Sequence, residues 1–274
     1  MQSWVAYRRH GAGDPRLTIY LATEAGKTYP RGAIPAATGD RFAFASAEAV
    51  VRCMAEYDLA EHPFVRRLMR EKDSAGATWQ LVRSTYEGTS KHFVPWLAMV
   101  TARVPDNRMR CLLARQLDQE LGEGDLSRAH SHLMVSFLEA IEPLRPLGFD
   151  DSRLEIGARL GRRLEAHYMS EDGLEGAAAL MAGEICAHQL IHAVGELLKK
   201  QPHRLDPAKI DWLTQHDELE GGHAEESLVL ARFVPETPDA IASIRRGAMG
   251  THDALWASLD ELYIDCFGRK KEAR

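Results

Sequence analysis

The sequence predicts an all-α domain, and three observations carry that reading. From about Ser46 onward, apolar residues recur at helical spacing over long segments. Capping side chains and prolines punctuate those segments where helices should begin. No series of alternating polar and apolar residues follows residue 46, so nothing there reads as a sheet. Apolar residues make up 45% of the 274-residue chain, enough for a sizeable core and too many for a disordered one.

Taken in order, residues 1–45 form an N-terminal extension. It is rich in glycine and proline, and its short alternating runs at 4–7 and 17–21 suggest small strands in otherwise irregular structure. Residues 46–274 form the helical domain, with helices expected over 46–57, 61–73, 77–103, 106–121, 127–142, 151–170, 173–200, 207–233 and 238–266. Asp106 after Pro105 caps one of these. Asp172 with Glu175 three residues on makes a capping-box-like start to another. Asp206 before Pro207 and Thr237 before Pro238 each place a capping side chain ahead of a first-turn proline.

The charge balance excludes several classes of function. Thirty-four Lys and Arg against forty Asp and Glu leave a net charge of −6, the wrong sign for a nucleic-acid binder. No uninterrupted apolar run approaches the roughly 18 residues of a membrane span, and the first residues lack a signal-peptide core. Cys53, Cys111, Cys186 and Cys266 are widely spaced with no CxxC, which argues for a reducing cytoplasm rather than a disulfide framework or a thiolate–zinc site. A homodimer is the base-rate expectation for assembly.

Chemistry enters where polar residues interrupt core-facing stripes. Along 207–233 the stripe reads Leu213, His216, Glu220, His223, Ser227, Leu230, with two histidines and a glutamate between apolar ends. Steps of four and three keep these side chains on one face. Along 173–200, Glu184 is the only charge on the stripe Ala177, Leu180, Glu184, Ala187, Ile191, Val194, Leu198. A buried carboxylate costs several kcal/mol unless it is paired, protonated or bound to a cation. In 106–142, Met109, Leu113, Gln116 and Glu120 lead into a glycine-flanked break, and His130 shares the next stripe with Leu126, Leu133, Phe137 and Ile141. Three carboxylates and three imidazoles without thiolate suit iron or manganese. Only Glu220 and His223 fit Glu-x-x-His, which disfavours a ferritin-like bundle. The plain alternative is a hydrogen-bonded network in a helical binding protein.

The ordered motifs resemble those of the haem-oxygenase-like di-iron oxidases and oxygenases. The segment from Leu117 to Leu133 (LDQELGEGDLSRAHSHL) resembles that family's L-x-x-E-x-G-x-G…AH-x-x-L signature. The run Ala179-Leu-Met-Ala-Gly-Glu184 is similar to its small-residue helix with a central Glu, and His216-x3-Glu220-x2-His223 to its final motif. The resemblance covers roughly residues 110–225. It implies a seven-helix haem-oxygenase-like bundle and a site of two Fe(II) per chain, held by Glu120, His130, Glu184, His216, Glu220 and His223. It also implies activation of O2 to oxidise a small organic substrate by N-oxygenation, C–C cleavage or oxidative decarboxylation, with an external electron donor as a further partner. Position 220 is Glu where Asp is commoner in the family, and Gly221 and Gly222 follow it within a predicted helix, at about 1 kcal/mol each relative to Ala. Glu123 is a rival to Glu120.

For the substrate pocket the candidates are Trp79, Tyr86, His92 and Trp96 on 77–103, with His188 and His192 beside Glu184. The same resemblance leaves a cofactor-free alternative, similar to thiaminase II and pyrroloquinoline-quinone synthase, with Cys186 as a nucleophile. A haem variant would use His62 as an axial ligand.

Overall fold

A computed structural model describes residues 44–201, 205, 213 and 225–268. Among these residues there are eight complete helices, a further helical stretch over 225–231 and no strand. The expected strands of the N-terminal extension, the helix start at Asp206, the Gly221–Gly222 pair and His216, Glu220 and His223 lie outside the described residues.

The helices are α1 (Ala47–Glu56), α2 (Pro63–Arg70), α3 (Ala75–Thr85 and Lys91–Arg103, joined by a π turn Tyr86–Ser90), α4 (Asn107–Glu120), α5 (His130–Ile141), α6 (Glu155–Tyr168), α7 (Gly173–Lys199) and α8 (Pro238–Tyr263). Three of these starts are set by residues that the sequence pattern singles out. Asp106 accepts from the backbone N–H groups of Arg108 and Met109, and Asp172 from those of Leu174 and Glu175. Thr237 accepts from Ala240 N–H, with Pro238 in the first turn. Each bond satisfies a backbone donor that the helix leaves without an internal partner.

α7 runs through the centre of the core and makes its most extensive contact with α8. The approach is close: a Cβ on Gly247 would stand 2.0 Å from the Glu175 carbonyl oxygen, so only glycine lets these two backbones meet. Among the described residues α7 is also long and apolar enough to cross a membrane, which qualifies the expectation drawn from uninterrupted runs. Of its most apolar window, 72% is buried inside the bundle, so that apolarity is directed at neighbouring helices.

The π turn in α3 has a visible cause. Gly88 lies against α6 so tightly that a Cβ would be 2.7 Å from the Gly157 carbonyl oxygen, and Gly157 in turn lies against the Ser84 carbonyl. Thr89 Oγ1 donates to the Thr85 carbonyl at 2.7 Å. One extra residue in the turn accommodates the approach and rotates everything after it relative to an uninterrupted helix.

His62, the conceivable haem ligand, is committed to the fold instead. Its ring is fully buried; Nδ1 accepts from Phe64 N–H at the start of α2, and Nε2 faces Asp260 Oδ1 at 3.2 Å. The ring packs edge-on against Trp256 at 4.3 Å. Burial, with repulsion from His252, pushes the imidazole down from 6.5 to about 4. The unfolded chain therefore takes up this proton near pH 6.5 while the folded chain refuses it, so His62 erodes stability as pH falls through that window. We expect up to about 3 kcal/mol of loss from this group between pH 7 and 4. His62→Asn, which retains an acceptor for Phe64, should flatten that part of the pH profile in denaturant titrations.

Candidate metal centre

The chain reverses between α4 and α5 through Gly122, Glu123 and Gly124, all with positive φ (87°, 54° and 88°). A Cβ at Gly122 would lie 2.2 Å from the Asp125 carbonyl oxygen, so that position requires glycine. The reversal brings the last residue of α4 against the first of α5: His130 Nδ1 lies 2.8 Å from Glu120 Oε1. Both are buried, at 4% exposure for Glu120 and 8% for His130. Glu123 sits in the reversal, exposed and paired with Arg128 at 3.2 Å. Of the two rival carboxylates, Glu120 is the one that faces inward.

Glu184 reaches the same place from α7, 3% exposed, and accepts from Gln116 Nε2 at 2.5 Å. Gln116 lies one helical turn before Glu120 on the buried stripe of α4. Glu120, His130 and Glu184 all line one cavity of about 310 Å3. Its wall is otherwise mostly apolar, with Leu81, Val82, Phe93, Met134, Phe137 and Ile191 among its residues. The exposed residues Lys91, Ser131 and Val135 also line it, so the cavity opens between α3 and α5. Leu213, from the stripe that carries His216, is buried and lines it too. Among the described residues no group of three or more His, Cys, Asp and Glu is gathered closely enough to hold a metal ion.

Of the pocket candidates, Tyr86 lines the cavity. The others do not. Trp79 donates to Glu142 Oε2 at 3.2 Å and packs edge-on against Phe149. Through and beyond the π turn the wall is formed by Thr89, Ser90, Phe93 and Val94, while His92 and Trp96 are not part of it. A reading based on unbroken 3.6-residue periodicity misses that rotation. On α7 the wall is Gly183, Glu184, Ala187, Leu190, Ile191 and Val194, so helical geometry turns His188 and His192 onto neighbouring faces. Cys186 is fully buried, absent from the cavity wall, and burial drives its thiol above the usual range. A thiol so placed is a packed side chain rather than a nucleophile.

Two wall residues and one supporting residue were not singled out from sequence. Gln116, which holds Glu184 from behind the wall, gave a signal as a polar residue on a buried stripe. Thr251 on α8 is fully buried, and its hydroxyl finds no hydrogen-bond partner among the described residues. Tyr168 closes α6 with its phenol oxygen over Gly183, where a Cβ would stand 2.0 Å away. Nothing in local sequence marks either of the last two.

With this geometry in hand, comparison with known proteins gives a consistent answer. Residues 84–256, more than half the chain, match the family of iron-containing redox enzymes. The chain belongs to that family. Solved structures agree on the fold. A CADD-like protein of unknown function from Nostoc punctiforme superposes with a TM-score of 0.64 at 14% identity, over 80% of this chain and 97% of that one. A TenA homolog from Pseudomonas syringae gives 0.61 at 17% identity, over 82% and 98%. A domain of unknown function with a haem oxygenase-like fold from Shewanella denitrificans gives 0.56 at 16%, over 82% and 95%. No curated protein matches the sequence. The haem-oxygenase-like fold is thereby shown, and with it membership of an iron-containing redox family.

The Gln116–Glu184 bond offers a direct check on how the centre is held. Gln116→Leu keeps the volume but removes one donor to a buried carboxylate. We expect a loss of about 1–3 kcal/mol in metal-free protein, measured by urea unfolding, and recovery of part of it when iron is added.

Proposed function

We propose that this chain is a non-haem di-iron oxidase or oxygenase that uses O2 to oxidise a small, largely apolar organic substrate. The observation that carries this reading is the convergence of Glu120, His130 and Glu184 on one wall of a mainly apolar cavity. Carboxylate and imidazole without thiolate fit iron, and burial of two carboxylates in such surroundings calls for a compensating cation. His216, Glu220 and His223, on the stripe shared with Leu213, complete the proposed ligand set from sequence alone.

Iron bound here would supply electrons to reduce O2 to an oxidant beside the substrate. The chain's own residues do the rest. Gln116 holds Glu184 by one oxygen, fixing where the other points. The positive-φ reversal sets Glu120 and His130 at their mutual distance. The apolar wall excludes water from the reacting space and selects an apolar substrate body. Thr251 and Tyr86 are among the wall residues that can orient a polar group on the substrate, and Lys91, ion-paired with Glu87 at the opening, offers a positive charge to an entering anion. N-oxygenation, C–C cleavage and oxidative decarboxylation all remain within this chemistry. The cofactor-free alternative loses its proposed nucleophile with Cys186 buried away from the cavity.

Anaerobic loading with Fe(II) should give about two irons per chain, as the two-metal helical sites require. Metal analysis of Glu184→Ala and Glu120→Ala should show at least one equivalent lost, and mixing with O2 should no longer yield the transient absorption expected of the wild type. A wild-type chain that binds no iron and consumes no O2 would overturn the proposal.

A further inference from the structure

Three aromatic rings lead in contact from the cavity to the surface. Tyr168 lines the cavity, its phenol oxygen set against Gly183, the residue next to Glu184. Its ring stacks on Trp96 with centroids 4.9 Å apart and planes at 28°. Trp96 stacks in turn on His92, at 5.3 Å and 22°. Tyr168 and Trp96 are buried, whereas His92 is half-exposed. Aromatic pairs in cores commonly take edge-on as well as offset arrangements. Here both contacts are stacked, and the rings run continuously from the wall beside Glu184 to solvent.

We propose that Tyr168 and Trp96, capped by His92, form a one-electron relay between the cavity and the protein surface. Tyrosine and tryptophan are the side chains most readily oxidised by one electron at neutral pH apart from thiols. The proposal rests on the oxidase reading, because it needs a one-electron oxidant formed from O2 in the cavity. When no substrate takes that oxidant, Tyr168 gives it an electron and the phenolic proton, leaving a neutral tyrosyl radical. Trp96 returns an electron to Tyr168, and the phenol is re-protonated as the indole N–H is deprotonated. A small reductant of the thiol or ascorbate class meets the exposed His92 edge and restores Trp96 with one electron and one proton. The imidazole, harder to oxidise than either ring, couples Trp96 to the reductant without holding the radical. The net result is transfer of one hydrogen atom from the reductant to the oxidant, with the chain unchanged. Gly183 belongs to the device, since any larger residue there displaces the phenol from the backbone beside Glu184.

The relay can be tested without iron. Azidyl radicals generated by pulse radiolysis oxidise tryptophan in preference to tyrosine in the metal-free, full-length chain. The wild type should then show tryptophanyl absorption converting to tyrosyl absorption in a first-order phase independent of protein concentration. Trp96→Phe and Tyr168→Phe should each remove that phase or slow it at least tenfold. Tyr168→Phe removes only a hydroxyl, so it remains informative if the tryptophan variant folds poorly. An intramolecular phase unchanged in Tyr168→Phe would overturn the relay, whatever the chain does with iron. In the iron-loaded chain, exposure to O2 with ascorbate and no substrate should inactivate Trp96→Phe several-fold sooner than wild type. Peptide mass spectrometry should then locate added oxygen at Tyr168. A chain that passes the radiolysis test but neither binds iron nor consumes O2 retains the relay and loses the oxidase reading.

Discussion

Burial of Glu120 and Glu184 inside an apolar bundle is the constraint on which the rest of this structure depends. Two carboxylates, each almost wholly removed from water, cost far more than a few core methylenes return unless something answers their charge. The described residues answer in part, with His130 against Glu120 and Gln116 on Glu184. The polar wall and its cavity are therefore a concentrated source of instability, which the fold supports because large apolar surfaces on α7 and α8 bury each other around it. Such an arrangement persists where function requires it.

The same constraint explains the two backbone irregularities nearest the cavity. The reversal through Gly122, Glu123 and Gly124 bends the chain sharply enough for the end of one helix to present a carboxylate to an imidazole at the start of the next. The π turn in α3 lets Gly88 approach α6 while turning Thr89, Ser90 and Phe93 to the wall. Both are local departures from ideal geometry that sit at the site, as expected when geometry is set by the site rather than by helix stability.

Stability and chemistry are held by different histidines. His62 is locked in the core as a neutral helix cap, its nitrogens engaged by Phe64 and facing Asp260. His130 is placed by a strained turn at the cavity. His92 lies at the exposed end of stacked rings. The twelve histidines of this chain thus share no single role. What each ring does follows from its neighbours, since an imidazole can cap, bind, or stack with equal ease.

Much of the fold was legible in sequence because its determinants are local. Helical spacing, Asp106, Asp172 and Thr237 as caps, and the glycine-flanked break after Glu120 all act within a few residues of where they stand. The inward direction of Glu120, His130 and Glu184 was legible for the same reason, as charge on an apolar stripe reveals its face through periodicity alone. Tertiary structure alone decided what fills the wall. The π turn arises from a contact between Gly88 and a helix almost seventy residues later, and it moves His92 and Trp96 off the cavity. Tyr168 and Thr251 come to the wall because α6 and α8 pack where they do. A sequence pattern specifies which face of a helix is buried, but only the packed neighbours determine whether that face meets core, cavity or another aromatic ring.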